Sequence, residues 1–323
     1  MNKSAQSFFN GKKIWITGHN GMLGSAMVRS FKDEDVNLLL TSRQDLDLTN
    51  QSAVEEWVLN NKPDYIFHIG AKVGGIQANS QMPADFLYNN IMIQSNVINA
   101  AHRAGVKKLL FVASNCTYPV NASQPISEEA LMTGPLEQNI RFYGIAKIAG
   151  IEMCRAYRKQ HGSNFISIIP PNLYGPGDNY HPQHGHVVAG IMRRAHEAKT
   201  LNNAELTVWG DGTARRELLH VDDLASAMKF LMISDSEYDL YNIGSGHDLS
   251  IKELATLIAE VTGFKGKIVF DTSKPNGTMR KLLCSKRINE IGWKPSFTER
   301  DGLLNAYSDF LKRINSTEFD PRI

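Results

Sequence analysis

The chain has 323 residues, 42% of them hydrophobic, and its 35 Lys and Arg stand against 33 Asp and Glu for a net charge of +2. That length exceeds one ordinary domain and can bury a large core, while the near-neutral balance gives no case for nucleic acid as the main partner. Three cysteines cannot all pair and fit a reduced, cytoplasmic protein; the polar stretch 1–9 has no secretory core, and no run is long enough to span a membrane.

In chain order, short apolar runs at 13–17, 37–41, 65–69, 108–113 and 164–169 read as strands. The amphipathic stretches 22–31, 52–60, 84–103 and 144–160 between them read as helices. Continuous apolar strands alternating with helices predict a Rossmann-like, doubly wound parallel α/β sheet with right-handed crossovers. After Pro170 the chain becomes rich in Pro, Gly, His and Asn through His186. Residues 219–223 then introduce an apolar helix and 240–243 read as a strand, so the chain is expected to revisit the first sheet. A helix at 251–262 and a strand at 267–270 belong to a smaller α/β part. The expected division is a dinucleotide-binding domain over 1–172, with returns near 218–245, and a substrate domain over 173–323. No internal repeat or low-complexity stretch is visible.

The first motif is Gly18-His19-Asn20-Gly21-Met22-Leu23-Gly24, directly after the first strand and before the first helix. In that context backbone N–H groups and the helix N-terminus hold a pyrophosphate. Many dinucleotide sites place an acid at the end of the second strand to bind the ribose. Here that strand ends Thr41-Ser42-Arg43, and an arginine suits a 2′-phosphate through a charge-assisted fork. NADPH is therefore expected over NADH. Asp47, just beyond, either meets the adenine amino group or caps the next helix.

Ser114 follows the strand 108–113, where open α/β sheets place their ligands. Tyr143 and Lys147 stand four residues apart and so share one helical face. An ammonium near a phenol favours the phenolate and makes the phenol a better acid toward a carbonyl. Ser114 would bind a ketone oxygen, Tyr143 would donate the proton, and Lys147 would hold the nicotinamide ribose. Cys116 reaches the same pocket from two residues beyond Ser114, and His186 lies in a polar loop that suits the rim of a substrate site. The alternatives are a small buried hydrophobe for Cys116 and a structural loop residue for His186. His181, His184 and His186 could form a metal cluster, but no carboxylate or cysteine follows at ligand spacing, so no metal is expected. Arg194, Arg216 and Lys281 read either as surface charges or together as cations for a diphosphate, and Trp209 either as a core aromatic or as a ring that stacks on a base or lines a sugar pocket.

These motifs resemble the extended short-chain dehydrogenase/reductases. The runs Ser114-Asn115-Cys116-Thr117-Tyr118-Pro119, 143–151 and Asn172-Leu173-Tyr174-Gly175-Pro176 narrow the likeness to the GDP-L-fucose synthase family. His186 with Arg193-Arg194, Trp209-Gly210, the run 216–223 and Ser273-Lys274-Pro275-Asn276-Gly277-Thr278 extend it to nearly the whole chain. The resemblance implies NADP(H), with Gly18, Gly21, Met22, Leu23, Gly24, Arg43, Asp47, Ala71, Lys147 and Asn172 about the cofactor. It implies epimerisation and reduction of a GDP-4-keto-deoxy sugar, with Cys116 and His186 shuttling protons beside the ketone. Asn172, Arg194, Trp209, Arg216 and Lys281 would then bind that sugar nucleotide. GDP-L-colitose synthesis and 4-keto-heptose reduction are the neighbouring chemistries. Asn20 replaces the arginine usual in the Gly-rich turn, and Asn139-Ile140-Arg141-Phe142 departs from the usual run before the tyrosine. A homodimer is expected through the helices at 84–103 and 144–160, which carry apolar side chains on more than one face, including Ile91, Ile93, Val97, Ile148, Ile151 and Met153.

Overall fold

The computed structural model describes residues 8–182, 185–235, 237–274, 276–316, 320 and 322. His184, Pro275 and residues 1–7 of the polar N-terminal stretch lie outside them.

The first half runs β1 (Lys13–Thr17), α1 (Met22–Arg29), β2 (Asn37–Thr41), α2 (Gln51–Asn61), β3 (Tyr65–His68), α3 (Ile76–Gln81), α4 (Pro83–Arg103), β4 (Lys108–Val112), α5 (Arg141–His161) and β5 (Phe165–Ile169). The second half runs β6 (Asn172–Tyr174), α6 (Val187–Thr200), β7 (Glu205–Trp209), β8 (Arg215–Arg216), β9 (Leu218–His220), α7 (Val221–Ile233), β10 (Leu240–Asn242), β11 (Leu249–Ser250), α8 (Ile251–Thr262), β12 (Lys267–Asp271), α9 (Lys286–Glu290) and α10 (Glu299–Ile314).

Six parallel strands form the main sheet in the order β10-β5-β4-β3-β1-β2. β3, β4 and β5 are buried along their whole length, which is why they read as unbroken apolar runs. Side chains alternate between the two faces. Ile14, Ile16, Phe67 and Leu110 pack under α1 and α7, and Trp15, Leu109 and Phe111 pack under α2, α4 and α5. From the second half, β10 pairs with β5 as the last strand, and α7 joins the core on the α1 face.

A third core lies among α6, α8, α10, β7 and β12, around Met192, Val208, Leu254, Ile258 and Phe310. Its sheets are two-stranded, β12 with β7 and β11 with β8; β6 pairs with β9 beside them. Ser250 and Glu253 close a reciprocal capping box at the start of α8. No described helix is long and apolar enough to cross a membrane.

Candidate active site

The Gly-rich turn is shaped by two close approaches. Gly18 has φ +70°, and a Cβ there would lie 2.8 Å from Gly70 Cα. A Cβ on Gly24 would lie 2.0 Å from the Gly18 carbonyl oxygen. A side chain at Gly18 would drive the turn off Gly70, and one at Gly24 would drive α1 off the turn. Gly21 is the N-cap of α1 and supplies no side-chain hydrogen bond, so the first-turn N–H groups, those of Met22 and Leu23 among them, are uncapped by it. A cradle that a Cβ would fill, opening onto a helix N-terminus, fits a dinucleotide pyrophosphate. Ala71 stands in the loop after β3, on the same sheet edge, and Gly70 N donates to Thr17 Oγ1 at 2.9 Å.

Arg43 is exposed in the turn after β2. Asp47 is committed locally: its Oδ1 accepts from Thr49 N at 3.0 Å and from Thr49 Oγ1 at 2.8 Å. The cap of α2 is instead Asn50, whose Oδ1 accepts from Ala53 N. The capping role weighed for Asp47 thus falls to Asn50.

Ser114 is the N-cap of the 3-10 turn Asn115–Thr117, directly after β4, and Cys116 sits in that turn. Cys116 N lies 3.5 Å from Ser114 Oγ. α5 brings Tyr143 and Lys147 to the same place, and a Cβ on Gly144 would lie 3.0 Å from the Cys116 carbonyl. Lys147 is 3% exposed and donates to the Val112 carbonyl at 2.9 Å, with Nζ 5.9 Å from the Tyr143 ring centroid.

Burial lowers Lys147 to about 8, opposed by Cys116. Burial also raises the Tyr143 phenol, with Cys116 adding to the effect. This corrects the expected lowering by Lys147, because desolvation outweighs an ammonium anchored on a strand carbonyl. The Cys116 thiol is likewise raised by burial, against opposing contributions from Ser114, Lys281 and Lys147. Tyr143 and Cys116 are therefore held protonated at neutral pH, the form that can donate a proton.

Lys281 Nζ donates to the Asn115 carbonyl at 3.2 Å, so it belongs to the catalytic turn as much as to any diphosphate. Arg216 donates to the carbonyls of Arg215, Thr278 and Asn276 at 2.8, 2.6 and 3.1 Å, and so also clamps the loop before Lys281. Arg194 is different. Its Nε is buried with no hydrogen-bond partner, and its guanidinium lies 5.8 Å from the Trp209 ring, with Lys274 Nζ at the same distance. Trp209 is 57% exposed at the end of β7, an aromatic face between two cations. Asn172 opens β6, half-buried.

His186 is the exposed N-cap of α6. Sequence reasoning missed its neighbour Asp178, a 2% exposed carboxylate raised to about 6 by burial and lowered in turn by His186, Arg313 and Arg322. Only its place in Gly175-Pro176-Gly177-Asp178 hinted at it. No group of three or more potential metal ligands occurs among the described residues.

A serine, a tyrosine and a lysine at the carboxyl edge of a doubly wound sheet, beside a Gly-rich turn, define a nucleotide-dependent short-chain reductase. The sequence pattern of the NAD dependent epimerase/dehydratase family matches residues 14–244. GDP-L-fucose synthase of Sinorhizobium fredii is 51% identical over 305 residues, covering 94% of this chain and 97% of its own. GDP-L-fucose synthase 1 of Arabidopsis thaliana is 50% identical over 303 residues, 94% of each chain. Among solved structures, a GDP-mannoheptose C4 reductase from Campylobacter jejuni with NADP bound is 38% identical, with a TM-score of 0.85 over 93% of this chain and 98% of its own. The chain belongs to the NAD dependent epimerase/dehydratase family and, within it, to the GDP-L-fucose synthases.

Proposed function

We infer that the protein converts GDP-4-keto-6-deoxy-D-mannose to GDP-L-fucose with NADPH, inverting two carbons and then reducing the ketone. The observation that carries this reading is the convergence of Ser114, Cys116, Tyr143 and Lys147 on one strand end. NADPH, when bound, supplies the hydride. Ser114 holds the ketone oxygen, and Tyr143 gives that oxygen its phenolic proton as the hydride reaches carbon. Lys147 holds the ribose and stabilises the phenolate left behind.

Hydrogens beside a ketone are acidic because their removal gives an enolate, and the groups that bind the ketone oxygen stabilise it. Cys116 and His186 exchange those protons from the two faces of the ring, one returning what the other removes. Arg194 pairs with the diphosphate, and Trp209 packs on the nucleotide. Arg43 takes the 2′-phosphate, which sets NADPH over NADH.

The same chemistry on a 3-deoxy sugar would give GDP-L-colitose. Reduction of a GDP-4-keto-heptose is the second reading: the run Asn139–Phe142, leading into α5 beside the site, departs from the fucose-synthase pattern, and a GDP-mannoheptose C4 reductase is 38% identical to this chain. Incubation with each GDP-4-keto sugar and NADPH, with products identified by NMR, decides among them. Product from the heptose alone would overturn the fucose reading.

We also propose a cytoplasmic homodimer through α4 and α5. Val97 and Ile151 cover the sheet, whereas Tyr88 and Ile145 are exposed on the same helices. A monomer by light scattering at working concentration would refute the dimer.

A further inference from the structure

Between β8 and β9 stands Glu217, a carboxylate that is 1% exposed and takes no part in the proposed chemistry. Its backbone carbonyl accepts from Asn172 N at 3.3 Å, which ties it to the start of β6. Its side chain reaches two further segments. Oε2 accepts from Leu283 N at 2.8 Å and Oε1 from Gly246 N at 3.0 Å, and the Ser245 N–H also favours the charged form. The fit is close: a Cβ on Gly244 would lie 2.1 Å from Oε1. Burial raises the carboxyl to about 7 against these N–H groups, and Asp248 adds to the rise. Asp248 itself is held between Arg215 Nε at 2.6 Å and Arg280 Nε at 2.5 Å. Burying a carboxylate is costly unless hydrogen bonds hold it, and here they come from the backbone of the loop 276–285 and of its neighbour 244–246.

The loop 276–285 carries Lys281, and two consecutive residues grip it on either side of that lysine. Upstream, Arg216 donates to the Asn276 and Thr278 carbonyls at 3.1 and 2.6 Å. Downstream, Glu217 takes the Leu283 N–H. The segment 124–126 braces the same stretch: Leu282 N donates to Gln124 Oε1 at 2.7 Å, and Cys284 N to the Ile126 carbonyl at 2.8 Å. Between these anchors Lys281 Nζ reaches the Asn115 carbonyl at 3.2 Å, one residue before Cys116. Burial lowers the pKa of Lys281, and the lysine and the Cys116 thiol each favour the other's charged form.

We propose that Glu217 is a positioning residue for Cys116 that acts through Lys281, fixing the loop 276–285 so that the ammonium stands on the Asn115 carbonyl beside the thiol. The inference rests on Cys116 shuttling a proton as read above. A cysteine that gives a proton to a sugar carbon, or takes one from it, passes through a thiolate, and in a buried turn a nearby cation offsets the cost of that charge. Lys147 faces the same thiol but is anchored on the Val112 carbonyl. Glutamine at 217 would keep the shape but offer one acceptor oxygen and an NH₂, so it could not hold both the Leu283 and the Gly246 N–H groups.

Alkylation of Cys116 by iodoacetamide, followed at pH 8 by mass spectrometry of its peptide in the full-length protein without ligand, reads the thiolate directly. Lys281→Met should slow it about tenfold and Glu217→Gln about fivefold. Glu217→Gln added to Lys281→Met should slow it no further, because the carboxylate acts through the ammonium. Cys154, buried on α5, should keep its parental rate in all three variants. The proposal is overturned if Glu217→Gln alkylates at the parental rate, or if the double variant is slowed by the full product of the two factors. It is overturned as well if Cys116 and Cys154 both react faster, which is the mark of a loosened fold. The proton-shuttle reading fails separately: normal exchange of the substrate's α-hydrogens by Cys116→Ser would sink it without touching the alkylation result.

Discussion

The end of β4 and the rim built from α6 and β7 are held in opposite ways. At β4, each functional group is fixed by the protein itself: Lys147 on the Val112 carbonyl, Cys116 inside a 3-10 turn capped by Ser114, Lys281 on the Asn115 carbonyl. At the rim, His186 and Trp209 are exposed, and Arg194 keeps an unpartnered buried Nε. The first region is preorganised for a proton transfer whose geometry is the same for any 4-ketone. On the proposed reading, the second gains its missing partners from a ligand, and one sugar nucleotide is told from another there.

The contrast is broken most sharply at Tyr143. Tyr143→Phe should keep the fold and cofactor binding and lose about 100- to 10,000-fold in reduction; near-normal turnover would remove Tyr143 as the acid. Next come Cys116→Ser and His186→Asn, which should still bind the sugar nucleotide. Their exchange of the α-hydrogens with heavy water, measured without NADPH, should slow by about 100-fold. Exchange at the parental rate in both variants would leave a simple 4-reductase.

Arg194→Met tests the rim alone. Losing a charge-assisted contact should raise the substrate KM by roughly 10- to 100-fold with kcat little changed. A loss confined to kcat would move Arg194 into the chemistry. The pH profile sharpens the other side. Lys147, lowered to about 8, loses its charge as pH rises through that value, so reduction should fall about tenfold for each pH unit above it. A flat profile through pH 9 would detach the ammonium from the rate. The smallest effect is expected at Arg43, exposed after β2. Arg43→Ala should narrow the NADPH preference by about tenfold, read as kcat/KM with both cofactors. An unchanged preference would free Arg43 from the 2′-phosphate.

The same contrast governs what the sequence revealed. β1 and β2 fall on the predicted runs 13–17 and 37–41: β1 is buried from Ile14 to Thr17, and β2, an edge strand with no fully buried residue, still carries the apolar run Leu38-Leu39-Leu40. Ser114, Tyr143 and Lys147 were legible because spacing along one strand end and one helix face fixes their placement. β6, β8, β9 and β11 are two or three residues long, too short for any periodicity, and they escaped notice. β7 alternates exposed and buried but lies among unrelated turns. Lys281 and Asn115 meet across 166 residues, a pairing that no local pattern encodes. Arg216 was grouped with Arg194 by charge, and its three carbonyl contacts appear only once the loop at 276–278 is folded against it. His68 read as one more residue of an apolar strand; its ring meets Thr17 Oγ1 of the neighbouring strand at 2.9 Å, a pairing across 51 residues that no periodicity encodes.

The sixth strand of the main sheet has a consequence for synthesis. β5 is made long before its outer neighbour, and until Leu240–Asn242 leaves the ribosome its edge carries unpaired backbone groups. Asn242 then closes more than a strand: it accepts from Tyr118 Oη, takes a Glu128 carboxylate oxygen on its N–H, and donates to the Ile126 and Cys284 carbonyls. The catalytic half is thus locked by a residue translated far behind it. A nascent chain halted before that point would present an open apolar edge to its neighbours on the polysome, and a ribosome-associated chaperone would have its substrate there.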